Sequence, residues 1–533
     1  MTSRFLLWLG AACASWAIVP LGGCSSSPAP VAQKPSNDAG TPDTCDKAKR
    51  TCEGDSVREC IQGANGRYET RLRACADEAE NAVCREGACV SPTDAQLVQA
   101  GRIDAMLDQL SKVTGYPFPI DYTSLKTEAR RELFHADGSD RAFFQATYRA
   151  FLGVPQGHQS FVADNVCGKA IPYASTSRFG VCGRPGDGGN SVVVTLARGG
   201  NKLGIAPGDR VTKVELPVGT GEAAAVLEGP TLLAFSARAL KCGASHVSAS
   251  FTQTEAAASF FGVVPASAKL TILSPTGESR IVVIPAEADA QWTSCSDPLG
   301  RDLKVVAEAR TLADGTAVIR IPAFTPFDEQ LPANPTLEQY DDFRQRFEDR
   351  IYAEFVKVQN APRLVWDLRS NGGGMTAVGL AILAGMPGAT GQVSTYCNAR
   401  VPKSDPPTFS SQKYAEYALV PGGRFAYAGK VAMLVDGFNY SAADYTPYFA
   451  KNATQVKLVG SPTAGAFGGA GLFFRSPGLP AFTVYYDNNK CMDSAGNPLE
   501  GKSVEPHILV EYDPIDLAAG KDTVLERALV ELK

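Results

Sequence analysis

Two short and almost entirely apolar segments constrain the fold more than any other feature of the sequence. They are RLVWDL (363–368) and KVAMLVD (430–436). Such runs are typical of strands that are buried on both faces of a parallel sheet. From about residue 303 onward, further strand patterns alternate with helical ones, so we predict an α/β fold for this half of the chain.

The neighbouring segments support this prediction. AVIRIPAF (317–324) and QVKLVG (455–460) are predicted strands, and SAADYTPYFAKN is a predicted short helix. Between the first two strands, a long amphipathic helix is predicted, with Thr336 and Gln339 forming a capping box at its start. Its apolar face is predicted to carry Leu337, Tyr340, Phe343, Phe347, Ile351 and Phe355.

The preceding part of the chain has a different pattern. Residues 94–152 are predicted to be helical, with Leu97, Ile103, Leu107 and Leu110 at helical spacing. From about 170 to 288, strands and glycines dominate, and residues 268–286 alternate around a PTGE turn as a hairpin does. The run GIAPGDRVTKVE resembles the PDZ signature, which implies a β-rich module that adds an extended peptide, often a C-terminus, as a further strand. A long insertion at 216–265 interrupts this resemblance.

The N-terminus has the features of an export signal. Residues 1–23 carry Arg4 and then an apolar stretch too short for a stable transmembrane helix. Leu21-Gly22-Gly23-Cys24 resembles the bacterial lipobox, which implies that Cys24 is lipidated and anchors the chain to a membrane of the bacterial cell envelope. A plain secretory signal is the alternative. Residues 24–43, rich in serine and proline, are predicted to form a flexible tether.

The cysteines indicate disulfides. Of 14 cysteines, 12 remain when Cys13 and Cys24 are set aside, and six of these lie within 44–91. That segment contains no histidine and no C-x-x-C, which favours a three-disulfide module over a zinc site. Fifteen pairings are open. The other six, also predicted to form structural disulfides, are Cys167, Cys182, Cys242, Cys295, Cys397 and Cys491.

Charge argues against one class of function. The net charge is -5, and no basic run interrupts the sequence. Nucleic-acid binding therefore has no electrostatic basis here.

The residues that are candidates for catalysis follow the ends of two predicted strands. DLRSNGGG (367–374) leads from a buried strand into an apolar helix, and its glycines allow backbone N–H groups to converge on an anion or a developing oxyanion. KVAMLVDGFNYSAADY also ends a buried strand in a turn and places Ser441 at the start of a helix. This is the strand–turn–helix position of an exposed nucleophile, although the G-x-S-x-G sequence is absent.

Together, these two motifs resemble the S41 serine peptidases, which include the carboxyl-terminal processing and tricorn-like proteases. The resemblance covers roughly residues 95–530. It implies an N-terminal helical segment (92–165), a PDZ-like domain (166–290) and a catalytic domain (300–533) with a crotonase/ClpP-like βα spiral. The nucleophile would be Ser441, with the oxyanion held by the amides of Ala442 and of Gly372 or Gly373.

The two branches of that family differ in the residue that acts as the general base. In the processing proteases it is a lysine in a T-F-G-K-G motif, but the corresponding stretch here is SPTAGAFGG (461–469), with Ala466 in the lysine's place. Lys451 and Lys457 are predicted to lie in a helix tail and a strand. The lysine dyad is therefore missing.

The other branch resembles a Ser-His-Glu arrangement. Its early histidine motif corresponds to FLGVPQGHQSF, which makes His158 the base, although Gln156 and Gln159 depart from the family's D-G-H-T pattern. The acid's motif corresponds to LEGKSVEPHILVE, which makes Glu500 the residue that orients the imidazole, although Ser503 replaces a glycine. A neutral imidazole is suited to accept a serine proton near pH 7, and a carboxylate fixes its tautomer.

The other candidates for the general base and the acid lie in sequence contexts that match the family motifs less well. His135 is predicted to lie at a helix end and His246 on a strand. His507 is the alternative base, and Glu505 is the alternative acid. Asp444 is expected to stabilise the N-terminus of the serine's helix, while Asp367 and Arg369 are expected to brace the glycine loop.

The sequence thus predicts an exported, lipid-anchored serine peptidase that cleaves polypeptides and holds the substrate's C-terminal tail on the PDZ-like segment. No metal or organic cofactor is implied. Two alternatives remain open. One is a binding protein that keeps the peptidase fold without its chemistry. The other is a surface adhesion lipoprotein whose working part is the cysteine module.

Overall fold

The computed structural model describes residues 50–62, 68–116, 118–217, 226–243, 247–287, 292–332, 335–401, 404, 408–469, 472–476 and 480–533. The predicted signal and tether, Cys24 and His246 lie outside these ranges. Within them, no helix combines the length and apolar character that crossing a membrane requires.

The cysteine-rich segment forms a small β module. Its first three strands make one antiparallel sheet, and the last two make a hairpin. Disulfides join Cys52 to Cys84 and Cys75 to Cys89, and Cys60 is also disulfide-bonded. The prediction of disulfides here is confirmed. The strands are β1 (Thr51–Glu53), β2 (Ser56–Gln62), β3 (Tyr68–Ala74), β4 (Val83–Arg85) and β5 (Ala88–Val90).

Three helices follow, as predicted: α1 (Asp94–Val113), α2 (Tyr122–His135) and α3 (Asp140–Leu152). Ile103, Leu107 and Leu110 are buried in their common core. Leu97 is exposed, because it lies in the first turn of α1, outside the face that packs on α2.

The middle segment is a sheet in the order β13-β12-β10-β9-β8, with β11 paired to β10. The predicted hairpin at 268–286 is confirmed as β12 and β13. Disulfides Cys167–Cys242 and Cys182–Cys295 hold this segment together. The strands are β6 (Ser160–Ala163), β7 (Thr176–Ser177), β8 (Val181–Gly186), β9 (Ser191–Ala197), β10 (Arg210–Glu215), β11 (Val226–Glu228), β12 (Lys269–Leu273), β13 (Ser279–Val283) and β14 (Thr293–Ser294).

Two helices in this segment were not predicted: α4 (Pro230–Arg238) and α5 (Ala249–Val263). α5 is buried over ten of its residues and packs against both β8 and α4. Its apolar residues are spread around the helix among serine, threonine, glutamine and glutamate, so it lacks the one-sided periodicity that marks a surface helix in a sequence.

The C-terminal segment is the predicted α/β unit. Its central sheet has the order β15-β16-β17-β20-β21-β25 and is parallel from β16 onward. The two apolar segments are its central strands, β17 and β20, and Trp366 is fully buried. The strands of this half are β15 (Glu308–Thr311), β16 (Ala317–Arg320), β17 (Arg363–Asp367), β18 (Ser394–Arg400), β19 (Phe409–Ala418), β20 (Lys430–Val435), β21 (Lys457–Gly460), β22 (Leu472–Ser476), β23 (Phe482–Tyr486), β24 (Asn489–Asp493) and β25 (Ile508–Leu509).

Helices cover both faces of this sheet, because alternate residues of its strands belong to two separate apolar clusters. The helices of this half are α6 (Leu337–Val358), α7 (Thr376–Ala384), α8 (Ala442–Ala453), α9 (Pro514–Ala518), which contacts β9 of the middle segment, and α10 (Thr523–Glu531). The capping box of α6 is present as predicted. Its first turn projects beyond the core, so Leu337 is 86% exposed and Tyr340 is 38% exposed instead of buried.

Two small sheets flank this unit, and one of them joins it to another segment. β24 pairs with β18, and disulfide Cys397–Cys491 links the two strands. β6, which directly follows the helical segment, pairs with β23. The second pairing brings residues near 158 to the C-terminal half of the chain.

Candidate active site

Ser441 lies on a sharp turn between β20 and α8. Its backbone has φ 60° and ψ -123°, a left-handed conformation that a residue with a side chain rarely adopts. The turn is held from both sides, since the Tyr440 N–H donates to Asn371 O and the Ser441 N–H donates to Ala466 O. A serine in such a conformation at a helix N-terminus has the geometry of a nucleophile elbow.

Two backbone amides beside Ser441 are available to an oxyanion. Among the described residues, no group accepts a hydrogen bond from the Ala442 N–H or from the Gly372 N–H. The Gly373 N–H is engaged, since it donates to Asn371 Oδ1 at 2.8 Å. Of the two predicted glycine donors, Gly372 is therefore the one whose N–H is unoccupied.

Gly373 has a different role. A Cβ built on it would stand 2.7 Å from Ser441 Cβ and 2.5 Å from Tyr440 O, and its φ is +97°. A Cβ on Gly372 would meet nothing within 4 Å. Gly373 therefore allows the glycine loop to approach the serine turn closely.

The buried Asp436 ties these two loops together. Its Oδ1 accepts hydrogen bonds from the Ser370 N–H and from the Phe438 N–H, each at 3.0 Å. Burial raises the pKa of this carboxyl, and Arg184 opposes the rise. Asp436 fixes the spacing between the glycine loop and the nucleophile turn.

His158 stands directly beside the serine turn. Its ring lies edge-on to the Tyr440 ring, with the centroids 5.0 Å apart. In the described part of the chain, Ser441 Oγ makes no hydrogen bond to it, and the buried Nδ1 of His158 has no partner. Burial lowers the pKa of His158 to about 4, so the imidazole is neutral at pH 7.

Glu500 is buried and contacts the backbone on both sides of this histidine. Its Oε1 accepts from the Gly157 N–H at 2.5 Å, and its Oε2 accepts from the Gly468 N–H at 2.9 Å. Burial, and then the charge of Asp487, raise the pKa of Glu500 to about 8. The carboxylate thus positions the segment that carries His158 through Gly157, and makes no direct bond to the imidazole.

A second buried acid, Asp487, was not identified from the sequence. A Cβ built on Gly468 would stand 1.7 Å from Asp487 Oδ2 and 3.4 Å from His158 Nδ1, so these two atoms flank the same glycine. Burial raises the pKa of Asp487 to about 7. Asp487 follows an ordinary strand, FTVYY, and no motif in the sequence distinguishes it.

Residues 461–469, the segment in which the sequence resemblance places Ala466 at the position of a lysine, form a strap that is held by carboxylates. Asp444 accepts from the Gly465 and Ala466 N–H groups, and Asp487 accepts from the Gly469 N–H. A Cβ on Gly157 would stand 2.5 Å from Ala466 Cβ, so the His158 segment packs directly on this alanine. Asp444 also interacts with the Ser441 backbone at the start of its own helix, and burial raises the pKa of Asp444 to about 7.

The alternative candidates for the base and the acid make their contacts with other parts of the molecule. His507 Nδ1 accepts from the Leu458 N–H, and the His507 and Glu505 side chains are exposed. His135 ends α2, as predicted, and pairs with Asp55 of the cysteine module. Lys451 Nζ donates to Glu505 O.

Asp367 and Arg369 form a buried network, as expected of residues that brace the glycine loop. The Arg369 guanidinium donates to Asp367 and to Asp522, which begins α10. Arg301 holds Asp367 from the other side.

The fold and this site define a serine-type peptidase, and comparison with known proteins agrees. Residues 315–510 match the sequence model of peptidase family S41. This match supports a serine-type peptidase of the S41 family, and a peptidase acts on polypeptides.

Two solved structures share the fold over most of the chain. Mature CPAF in complex with lactacystin is 14% identical, with a TM-score of 0.53 over 82% of this chain and 98% of that one. Another structure of mature CPAF is 15% identical, with a TM-score of 0.52 over the same shares of both chains. At this identity, the likeness shows the fold alone. No curated protein sequence matches this chain.

Proposed function

We propose that the chain hydrolyses peptide bonds with Ser441 as nucleophile and His158 as general base. Ser441 Oγ attacks the scissile carbonyl while His158 takes the serine proton, which it later delivers to the leaving amine. The amides of Ala442 and Gly372 stabilise the oxyanion, and each such donor contributes about 100- to 1,000-fold in rate. The observation that carries the proposal is the left-handed elbow of Ser441 beside two unoccupied amides and a neutral imidazole.

Two buried acids support the imidazolium that forms during catalysis. Glu500 positions the histidine segment through the Gly157 N–H, and Asp487 Oδ2 lies beside the same glycine, Gly468, as His158 Nδ1. Because burial disfavours the charged imidazole, a nearby carboxylate charge is needed to lower the cost of proton transfer. Substrate binding would complete the serine–histidine hydrogen bond, which is often loose in unliganded enzymes.

The remaining parts of the proposal concern substrate and location. The β-rich segment is proposed to be PDZ-like, with the substrate's C-terminal tail added beside its sheet, and the catalytic domain to be a crotonase-like spiral. Cys24 is proposed to carry a lipid that anchors the exported chain to the cell envelope. α5 packs on the serine turn through Phe251, whose ring lies 5.5 Å from that of Tyr440. This contact would let the PDZ-like segment influence the nucleophile.

A second candidate is a binding protein that keeps the peptidase fold. The observation that favours it is the unpartnered Nδ1 of His158, together with the missing bond to Ser441 Oγ within the described structure.

Labelling with a fluorophosphonate probe separates these candidates. We expect the purified protein to label, and Ser441→Ala and His158→Ala to abolish labelling. His507→Ala is the matched control and should label as the unaltered protein does. A folded protein that never labels would support the binding role. Labelling lost only in Ser441→Ala would exclude His158 as the base.

A further inference from the structure

A second cleft, separate from the peptidase site, lies between the helical segment and the β-rich segment. Its volume is about 390 Å³, and it is lined by one face of α3, the chain near residues 169–178 and the end of α5. Phe235 and Trp292 contribute apolar wall, and Trp292 packs over Gly262. Disulfide Cys167–Cys242 closes the adjoining loop, so this cleft is built on a cross-linked frame.

Its charge contrasts with that of the whole protein. Four of its lining side chains are cationic and none is acidic, in a chain whose net charge is -5. Arg149 is paired with Glu132 at 3.0 Å. For the other three, Arg141, Lys169 and Arg178, no carboxylate of the described residues lies within 4.0 Å. The cleft therefore concentrates positive charge that the described protein does not neutralise.

Arg178 is the most enclosed of these cations. Its Nε is buried without a hydrogen-bond partner among the described residues, and one terminal nitrogen donates to Val264 O at 3.3 Å. Burial, and then the nearby charge of Arg141, lower the pKa of Arg178. Two arginines line the same cleft closely enough for their charges to interact, and one has a buried N–H without a partner among the described residues, so a bound anion would stabilise this arrangement.

We propose that this cleft binds a phosphate group. Arginine presents planar donors that match the oxygens of phosphate, and three cations suit a group that carries about two negative charges better than a single carboxylate. The apolar wall beside the cations would cover an uncharged part of the same ligand. The phosphate could come from the headgroup of an anionic lipid or from a soluble phosphate, and both share this chemistry.

Calorimetric titration of the purified protein with inorganic phosphate, at constant ionic strength, tests the proposal. We expect saturable binding that Arg178→Gln and Arg141→Gln each weaken about tenfold, which corresponds to about 1.4 kcal/mol. Arg198→Gln, an exposed arginine of the same segment that does not line the cleft, is the matched control and should bind as the unaltered protein does. Lys169→Gln alters an exposed side chain of the cleft, so this variant should fold. It should also weaken phosphate binding, which keeps the test decisive if an arginine variant fails to fold.

Vesicles that contain phosphatidic acid in phosphatidylcholine identify the source. Vesicle binding that free phosphate displaces, and that Arg178→Gln weakens, assigns the site to a lipid headgroup. Phosphate binding without such vesicle binding assigns it to a soluble phosphate.

Three results would overturn the proposal. One is the absence of saturable phosphate binding. Another is equal affinity in all cleft variants, which would mean an adventitious ion only. The third is tighter, competing binding of a polyglutamate peptide, which would make the cleft a site for acidic peptides.

Discussion

At the scale of single residues, the site depends on backbone geometry as much as on side chains. Ser441 holds a positive φ that costs about 1–3 kcal/mol in an ordinary residue, and the hydrogen bonds from Tyr440 and Ser441 to the two flanking loops maintain it. The sequence could identify Ser441, because a buried strand followed by a turn and a helix is a local pattern. It could not identify Asp487, which comes close to His158 only through the pairing of β23 with β6.

The glycine loop offers a matched pair of variants. Gly373→Ala should reduce kcat/KM at least 100-fold, because the new methyl group would press on Ser441 Cβ and Tyr440 O at a positive φ. Gly372→Ala adds a methyl group in open space and keeps the backbone N–H, so activity should stay within a few-fold. Steady-state kinetics with a peptide substrate, alongside thermal melting, would measure both. Equal loss in the two variants would contradict this account.

Asp487 should set the pH at which the enzyme works. Its charge contributes to raising the pKa of Glu500, so Asp487→Asn should lower that pKa and move the rising limb of kcat/KM toward acid pH. Glu500→Gln should instead remove that limb together with most of the activity. A pH–rate profile distinguishes these outcomes from simple destabilisation, since a purely structural loss would lower the rate equally at every pH.

At the scale of elements, the strap of residues 461–469 is held in place through its backbone N–H groups. Three buried acids accept hydrogen bonds from its backbone, and in this chain it replaces the loop that carries the lysine in one branch of the family. Its glycines were visible in the sequence. The carboxylates that bind them come from α8, from the turn after β23 and from residue 500, and no local pattern connects those three places.

These acids should make the protein less stable as pH rises. Burial raises the pKa of Asp444 and Asp487 to about 7 and of Glu500 to about 8, while such groups in an unfolded chain titrate near pH 4. The folded state therefore binds more protons than the unfolded state over this window, and the free energy of unfolding falls toward pH 8.5.

Denaturant unfolding between pH 6.5 and 8.5 measures this effect. His158, whose pKa is about 4 in the folded state, opposes this decline only near pH 6.5, where an unfolded histidine is still partly protonated, and above about pH 7.5 its imidazole is neutral in both states. Glu500→Gln should flatten the decline, while Glu505→Gln, an exposed neighbour, should leave it unchanged. A decline that is identical in both variants would show that other groups cause it.

At the scale of the whole molecule, the sequence was informative where structure is local and uninformative where segments meet. The parallel strands, the capping box of α6 and the dispersed disulfides follow from patterns of a few residues. Helix α5 and the cationic cleft do not, since the apolar residues of the helix are not confined to one face and the cleft collects residues from three helices and several loops.

The disulfides should differ in how much each one matters for peptidase activity. Replacing Cys397 and Cys491 by serine should cost about 2–4 kcal/mol of stability and most of the activity, because β24 lies between Asp487 and Glu500. Replacing Cys52 and Cys84 should leave kcat/KM nearly unchanged. Loss of peptidase activity in the second pair would contradict this division and would give the cysteine module a direct part in catalysis.

The Cys397–Cys491 bond also has a consequence for the producing cell. The Leu499 N–H donates to Cys491 O, so the cross-linked strand carries the residue that precedes Glu500. Until this bond forms, the acid that positions the histidine segment lacks its anchor. A chain kept reduced inside the producing cell would therefore stay latent, and peptidase activity would begin only once oxidation forms this bond.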